Sequence, residues 1–574
     1  MTNSRLSFGD GGVTIDAVNG KFSFTDEGLH AKGVQGRILG LDATFGVETR
    51  TRKGERLTEV TATGHARDDQ IAPFLTPVLR RLKGSTGWDA RLELPEAVAG
   101  KIVPGTLRIN SNLRGMAIDL PRPIGKAAAE PLPFQLRMTV PRDPESPIRA
   151  RLGDRLQVVV DLDSEMKLTR GTVGLGKDPV KLEERPGFHI GGTASYLSYS
   201  DWAAVLAPKS RVDQGEANVT SIDLRADVAE ALGQKFHHVS VKGLRASQAW
   251  QLDVDSDEVA GRVEIPVAEE QPVRMDLAHL RLPGLTQENG KPGLDPRDIP
   301  PLVLNSKEFS YGDVSYGSLN INASRHSDGL RLEKLSLKSD WMDLDARGDW
   351  LSVNDEQYSS FNIVARSKNI GAALARLGYG GTLNQGEGSF DIVARWSGPP
   401  TAFALDRLDG DLAMHIKNGR LLDVDPGAGR IFGLISLQAL PRRLSLDFSD
   451  IFKKGFTFDA IEGNFKIKEG RARTEDLHMD GPSARIEARG LVDLVHGQYD
   501  QKITVLPHLT SSLPLAGAVA GGIGVGAAIL IVERMFRPNI EKSAQIEFHV
   551  TGPWDNPVVE RVASVNSAAP TRKR

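Results

Sequence analysis

The residues whose types and spacing come nearest to chemistry are two adjacent histidines, His237 and His238 in "FHHVSV", and two acidic pairs, Asp253 with Asp255 and Asp423 with Asp425. A metal site needs side chains converging on one point. Neighbours on a strand face opposite ways, so these histidines do not share an ion through ordinary strand geometry. Carboxylates two apart on a strand do share a face, as the pair of a glycoside hydrolase must, but with 74 Asp and Glu in the chain such pairs also arise as solvated charge. The run from Gly517 to Gly526 loosely matches a dinucleotide fingerprint, yet lacks the strand-turn-helix setting and the acidic partner downstream. There is no Cys, which removes disulfides, thiolate metal sites and cysteine nucleophiles. The expectation is a protein that is not an enzyme and takes no cofactor and no metal.

The elements that would carry such residues are strands. Apolar residues recur at every second position over short runs that end at Gly, Asn or Asp, the pattern of half-buried antiparallel strands. Phe22 and Phe24 share one face of "GKFSFTDEG", Leu319 and Ile321 one face of "GSLNINAS", and Phe465 and Ile467 oppose Lys466 and Lys468 in "GNFKIKEG". Units beginning at Val18, Tyr316, Leu408 and Ile461 repeat one plan, a Gly-led strand, a polar turn and a second alternating strand, and the two longest add a third that closes on "ARG" at 346–348 and 488–490. A repeated supersecondary unit predicts a quasi-linear stack; convergent hairpin grammar is the competing explanation. Helical signals are few: residues 68–83, capped by Asp68 or Asp69 and stopped by Gly84; "NIGAALARLGYGG" from Asn369; and "GRIFGLISLQALPRR" from Gly429. Arg122, Arg442 and Arg443, in two Pro-Arg stretches, read as turn and edge charge. Lys plus Arg number 71 against the 74 acids, a net charge of -3, so no basic field exists to hold nucleic acid.

One segment breaks the alternation. From Leu513 to Val532 there are 20 residues without a charge, and at about 1.5 Å per residue a helix of that length would span a hydrocarbon core of about 30 Å. Five are Gly, each costing about 1 kcal/mol relative to Ala in a helix, so the segment is a poor isolated helix. The spacing of Gly517 with Gly521 and of Gly522 with Gly526 would admit close approach of another backbone or a lipid chain. A span, a dip into the membrane and packing on the β framework compete. Strand grammar returns with Ile546, Phe548 and Val550, which favours insertion or packing over crossing.

"AIDLPRPIGKAAAEPLPFQLRM" from Ala117, "DPRDIPPLVLNSKEFSYGDVSYGSLNINASRHSDGLRLEKLSLKS" from Asp295, "GRIFGLISLQALPRRLSLDFSDIFKKGFTFDAIEGNFKIKEG" from Gly429, "LPLAGAVAGGIGVGAA" and "GPWDNPVVERV" together resemble the carboxy-terminal half of the YhdP family of AsmA-like proteins of Gram-negative bacteria, relatives of TamB and of bridge-like lipid transfer proteins. The resemblance implies a long, bent, open β structure whose apolar groove bridges the inner and outer membranes and moves phospholipid. It implies no catalytic motif. It also implies a periplasmic, membrane-associated protein with an inner-membrane anchor, which the start "MTNSRLSFGDGGVTIDAVNG" does not supply; a truncated or split reading frame, or a separate anchoring chain, would account for that.

The expected fold is therefore mainly β, an elongated, twisted antiparallel sheet forming a groove from degenerate meander repeats, with a few short helices and one hydrophobic helical segment near the C-terminus. The expected organisation is a central β-groove region over 1–300 with the short helix at 68–83, a β-repeat region over 301–512, the Gly-rich segment 513–536, a final strand in 537–562 and a basic tail over 563–574. Groove-lining candidates are Phe22, Phe24, Leu319, Ile321, Leu335, Leu337, Phe390, Ile392, Phe465 and Ile467. Membrane-seating candidates are Leu513, Leu515, Val519, Ile523, Val525, Ile529, Leu530 and Ile531. The expected partners are phospholipids, the inner or outer membrane or both, and a separate anchoring chain or other envelope proteins, with no nucleic acid. Against the lipid-conducting groove stand a structural scaffold or tether of the envelope without a lipid path, and an envelope glycan hydrolase built on a carboxylate pair.

Overall fold

The structure is a computed structural model that describes residues 2–7, 14–25, 28–52, 55–72, 81–96, 103–141, 143, 146–163, 168–206, 219–231, 233–283, 295–381, 383–422, 456–482, 484–508, 545–554 and 556–562. Among these residues lie 32 β-strands and three α-helices, of four, eight and seven residues. The chain is mainly β with few helices, as the alternation requires. It divides into two compact units, Met1–Val267 and Ala268–Arg574.

In both units most successive strands pair antiparallel, and the turns show why. Between Ile38 and Leu41, Val353 and Glu356, and Lys468 and Arg471 only two residues intervene. In each case both have positive φ: Leu39 and Gly40, Asn354 and Asp355, Glu469 and Gly470. Two such residues make the turn whose twist matches that of the flanking strands, which fixes register and sends the chain straight back. Bulges then correct the spacing. Leu332 and Leu335 are three apart, yet they face Gly348 and Ala346, two apart, because one extra residue is absorbed between them. Both leucines thereby keep one face. The same device separates Ala31 from Val34 and Thr474 from Leu477.

Among the described residues three joins are parallel. Leu168–Leu175 runs parallel to Gly187–Ser198, and that strand parallel to Val219–Ala231; in the second unit Val273–Leu282 runs parallel to Leu302–Tyr311. Alternation within a strand does not record the direction of its neighbour.

The helices correct two expectations. Among the described residues of 68–83 the helix is Asp68–Ile71; Leu82 begins the strand Leu82–Pro95, and Gly84 lies within that strand at φ +110 rather than stopping a helix. Pairing Leu82, Lys83 and Gly84 with Ile118, Ala117 and Met116 satisfies backbone groups that a helix interrupted by Pro73 and Pro77 would leave open. The helix expected after Asn369 is present as Ile370–Arg376, with the Asn369 side chain accepting from the Ala372 N–H as its cap. The helix Tyr199–Leu206 was not expected. The segment from Gly429 and the segment 513–536 lie outside the described residues.

Candidate functional site

Cross-strand register gathers the alternating apolar residues into rows. In the second unit one row passes through Met275, Leu304, Ile321, Leu335, Ala346, Ile363, Ile392, Leu412, Phe465, Thr474, Gly490, Gln501, Val550 and Val559, each directly opposite the next. Side chains two positions along each strand share the face, so a second row lies beside it: Leu319, Leu337, Leu344, Ala365, Phe390 and Met414. On the other side a third passes through Phe361, Ala394, Gly410, Ile467, Ala472, Val492 and Tyr499. Fourteen strands make thirteen steps of about 4.8 Å, a path of roughly 60 Å across the strands.

Of the residues singled out as groove candidates, the structure brings eight onto this one face. Ile321, Leu335, Ile392 and Phe465 share the first row, Leu319, Leu337 and Phe390 the second, and Ile467 the third. Phe22 belongs to the first unit, opposite Ala31 and packed against that unit's core. Phe24 does not join it. Its strand has four residues and one paired neighbour among the described residues, and the ring is 72% exposed. The eight membrane-seating candidates lie outside the described residues.

The first unit carries a matching row: Val34, Phe45, Ala62, Ala90, Ile109, Leu136, Ala150, Val158, Val173, Ile190, Ile222, Gly243, Leu252 and Val263. It survives the two parallel joins because alternation continues through them. This row was legible as alternation, but none of its residues was singled out as a candidate.

Burial varies along the second unit's face. Before Leu383 the face is mixed: Ile321, Leu335, Leu344, Ala346, Ile363 and Ala365 are half-buried, whereas Leu304, Leu319 and Leu337 are buried. From Leu383 onward the same face is packed: Met414, Ile416, Ile461, Phe465, Leu477, Ile503 and Val550 form one cluster, joined by Ile370 from the short helix. The opposite face is wet and laced with cross-strand ion pairs, Arg331 with Asp349 at 2.8 Å and Lys502 with Glu547 at 2.9 Å. Such exposed pairs contribute little stability.

The polar groups of the sequence analysis are engaged elsewhere. His237 pairs with Glu258, and His238 with Asp257 at 2.8 Å; donating to the Asp257 carboxylate raises the His238 pKa. Asp253 and Asp255 are exposed on their strand, and Arg262 stands 3.7 Å from Asp253. The Arg122 carbonyl accepts from the Trp202 indole at 3.0 Å. Asp423, Asp425, Arg442 and Arg443 lie outside the described residues. Beside the turn at Glu469 and Gly470, a hydrogen bond from Lys468, with one from the Glu469 N–H, holds Asp409 below the usual carboxylate range. Among the described residues no three His, Asp or Glu side chains gather as a metal site, and no helix is long and apolar enough to cross a membrane. What the arrangement offers chemically is a long, narrow apolar surface with a polar back.

A family model for the YhdP protein matches residues 1–559. The chain belongs to the YhdP family. The intermembrane phospholipid transporter YhdP of Escherichia coli (strain K12) is 22% identical over 578 residues, a match covering 96% of this chain and 44% of that protein. The chain thus spans less than half the length of that relative. No solved structure matches it.

Proposed function

We propose that this chain is a non-enzymatic part of an intermembrane phospholipid bridge in the periplasm, holding acyl chains along the apolar rows of its two units. The observation that carries this is the unbroken cross-strand register, which keeps fourteen successive strands of each unit presenting the same face. An acyl chain on such a surface gains about 0.8 kcal/mol for each methylene removed from water. No base, nucleophile or metal is needed for that; continuity is. The name of the Escherichia coli relative, a phospholipid transporter, supports the ligand class. Inner and outer membranes are the partners this reading requires, with Leu513, Leu515, Val519, Ile523, Val525, Ile529, Leu530 and Ile531 as its membrane seat.

A closed scaffold without a lipid path is the second reading, and the packed face beyond Leu383 favours it for that stretch. Acyl chains belong, on this reading, over the half-buried positions between Met275 and Ala365, Ile321, Leu335, Leu344 and Ile363 among them, which alternate with the buried Leu304, Leu319 and Leu337. The test is lipid mass spectrometry on the purified chain and on Ile321→Asn and Leu335→Asn variants. Co-purifying phospholipid in the parent chain, reduced at least severalfold in folded variants, is the expected result. A folded parent chain free of lipid would leave the scaffold.

A further inference from the structure

In the first unit part of the apolar face lies under a strap of the chain's own residues, 112–132. Ile118, Ile124 and Leu132 of the strap pack against Leu152, Leu175 and Ala194 of the sheet. Leu152 and Leu175 belong to a row two positions along the strands from Leu136, Ala150, Val158 and Val173, on the same face. Polar bonds tie the strap down: Ile118 and Lys126 exchange backbone hydrogen bonds at 3.0 and 3.1 Å, and the Trp202 indole donates to Arg122.

At its centre is a cation that forms no ion pair among the described residues, with Glu130 the carboxylate nearby. Lys126 is 7% exposed, and its ammonium donates to the carbonyls of Leu113 and Met116. An ammonium has three N–H donors, so one remains. Among the described residues no carboxylate forms an ion pair with it. The nearby Glu130 is bound to the Arg155 guanidinium, which also donates to the Gly125 carbonyl at 2.7 Å. Two cations and one anion leave an excess positive charge beside an apolar surface. A buried charge without a partner is costly, and burial accordingly pushes the Lys126 pKa down. Tying two loop carbonyls explains a donor there but not a charge, since a neutral donor would serve. The Arg155 and Glu130 side chains, 29% and 42% exposed, open this group to solvent.

We propose that Lys126 and Arg155 form a site for the phosphodiester of a phospholipid whose acyl chains lie on the adjoining rows. The inference rests on the reading of those rows as acyl-binding. One phosphodiester carries the single negative charge the cluster lacks and accepts charge-assisted hydrogen bonds from both cations.

The test is calorimetric titration of the full chain with dihexanoyl phosphatidylglycerol, dihexanoylglycerol and inorganic phosphate. A charge-assisted contact supports a preference of about tenfold for the phosphatidylglycerol over the neutral lipid. Lys126→Met should narrow that preference to less than about twofold while Lys126→Arg keeps it. Glu130→Gln, which leaves both cations in place, should widen it, and this holds even where Lys126→Met fails to fold. Equal affinities in the parent chain, or an unchanged preference in folded Lys126→Met, overturn the site and leave the apolar rows standing. Phosphate binding as tight as the lipid's, lost in Lys126→Met, reassigns the cluster to free phosphate and overturns the lipid proposal. Failure to bind even dihexanoylglycerol overturns the acyl-binding reading itself, and the site with it.

Discussion

Within the second unit, the strands Leu302–Tyr311 to Glu356–Ser367 and the strands Leu383–Ser397 to Ile546–Pro553 share one grammar and one continuous register, yet differ in burial. In the first stretch Ile321, Leu335 and Ile363 keep part of their surface open beside the buried Leu304, Leu319 and Leu337. In the second, Phe465, two strand pairings beyond Ile392 in the same row, is 1% exposed. Alternation therefore decides which face is dry and says nothing about whether protein or something else completes the covering.

The largest expected contrast comes from truncating one row at both ends. Phe465→Ala removes a ring from a packed cluster and should cost about 3–5 kcal/mol in denaturant unfolding. Ile321→Ala removes atoms that already meet solvent in part and should cost about 1–2 kcal/mol. Equal costs would mean that the two stretches are one core and would remove the contrast. A smaller effect is expected where the packed stretch begins. Asn369→Ala deletes the cap of the helix that seats Ile370 and Ala373 there, and should lower stability by about 1 kcal/mol. Faster amide exchange at Ala372 but not at Ile363 would confine that loss to the packed side. The smallest effect concerns acid. The Asp409 carboxyl, lowered first by Lys468 and then by the Glu469 N–H, contributes stability that is present above the unfolded value of about 3.9 and is lost as pH falls below it. Protection of the Glu469 amide, taken relative to its intrinsic exchange rate at each pH, should therefore fall as pH drops below about 3.9, and Asp409→Asn should flatten that dependence. An unchanged profile in the variant would show that this exposed pair does not hold the turn.

Much of this was legible in the residues. Eight of the candidates chosen from alternation lie on one face, although bulges such as the one between Leu332 and Leu335 intervene. They survive because a bulge inserts an extra residue where the apolar spacing lengthens from two to three, so the error in counting and the correction in structure coincide. Phe24 stays exposed because alternation gives a face but not the number of neighbours, and its short strand has one paired neighbour among the described residues. The strap was missed for a different reason. "AIDLPRPIGKAAAEPLPF" has neither period, and its structure comes from side-chain ties to distant carbonyls, which leave no local rhythm.

The pairing of each strand with its chain neighbour has a consequence for how such a molecule changes length. A hairpin inserted at any two-residue turn adds two strands, about 10 Å, and leaves the direction and face of everything downstream unaltered. A single strand cannot be added so cheaply, because it would send the following chain out from the opposite edge. Descent by gene duplication and loss would therefore lengthen or shorten the apolar path in hairpin steps, letting reach track the distance to be crossed while the local rules of folding stay fixed.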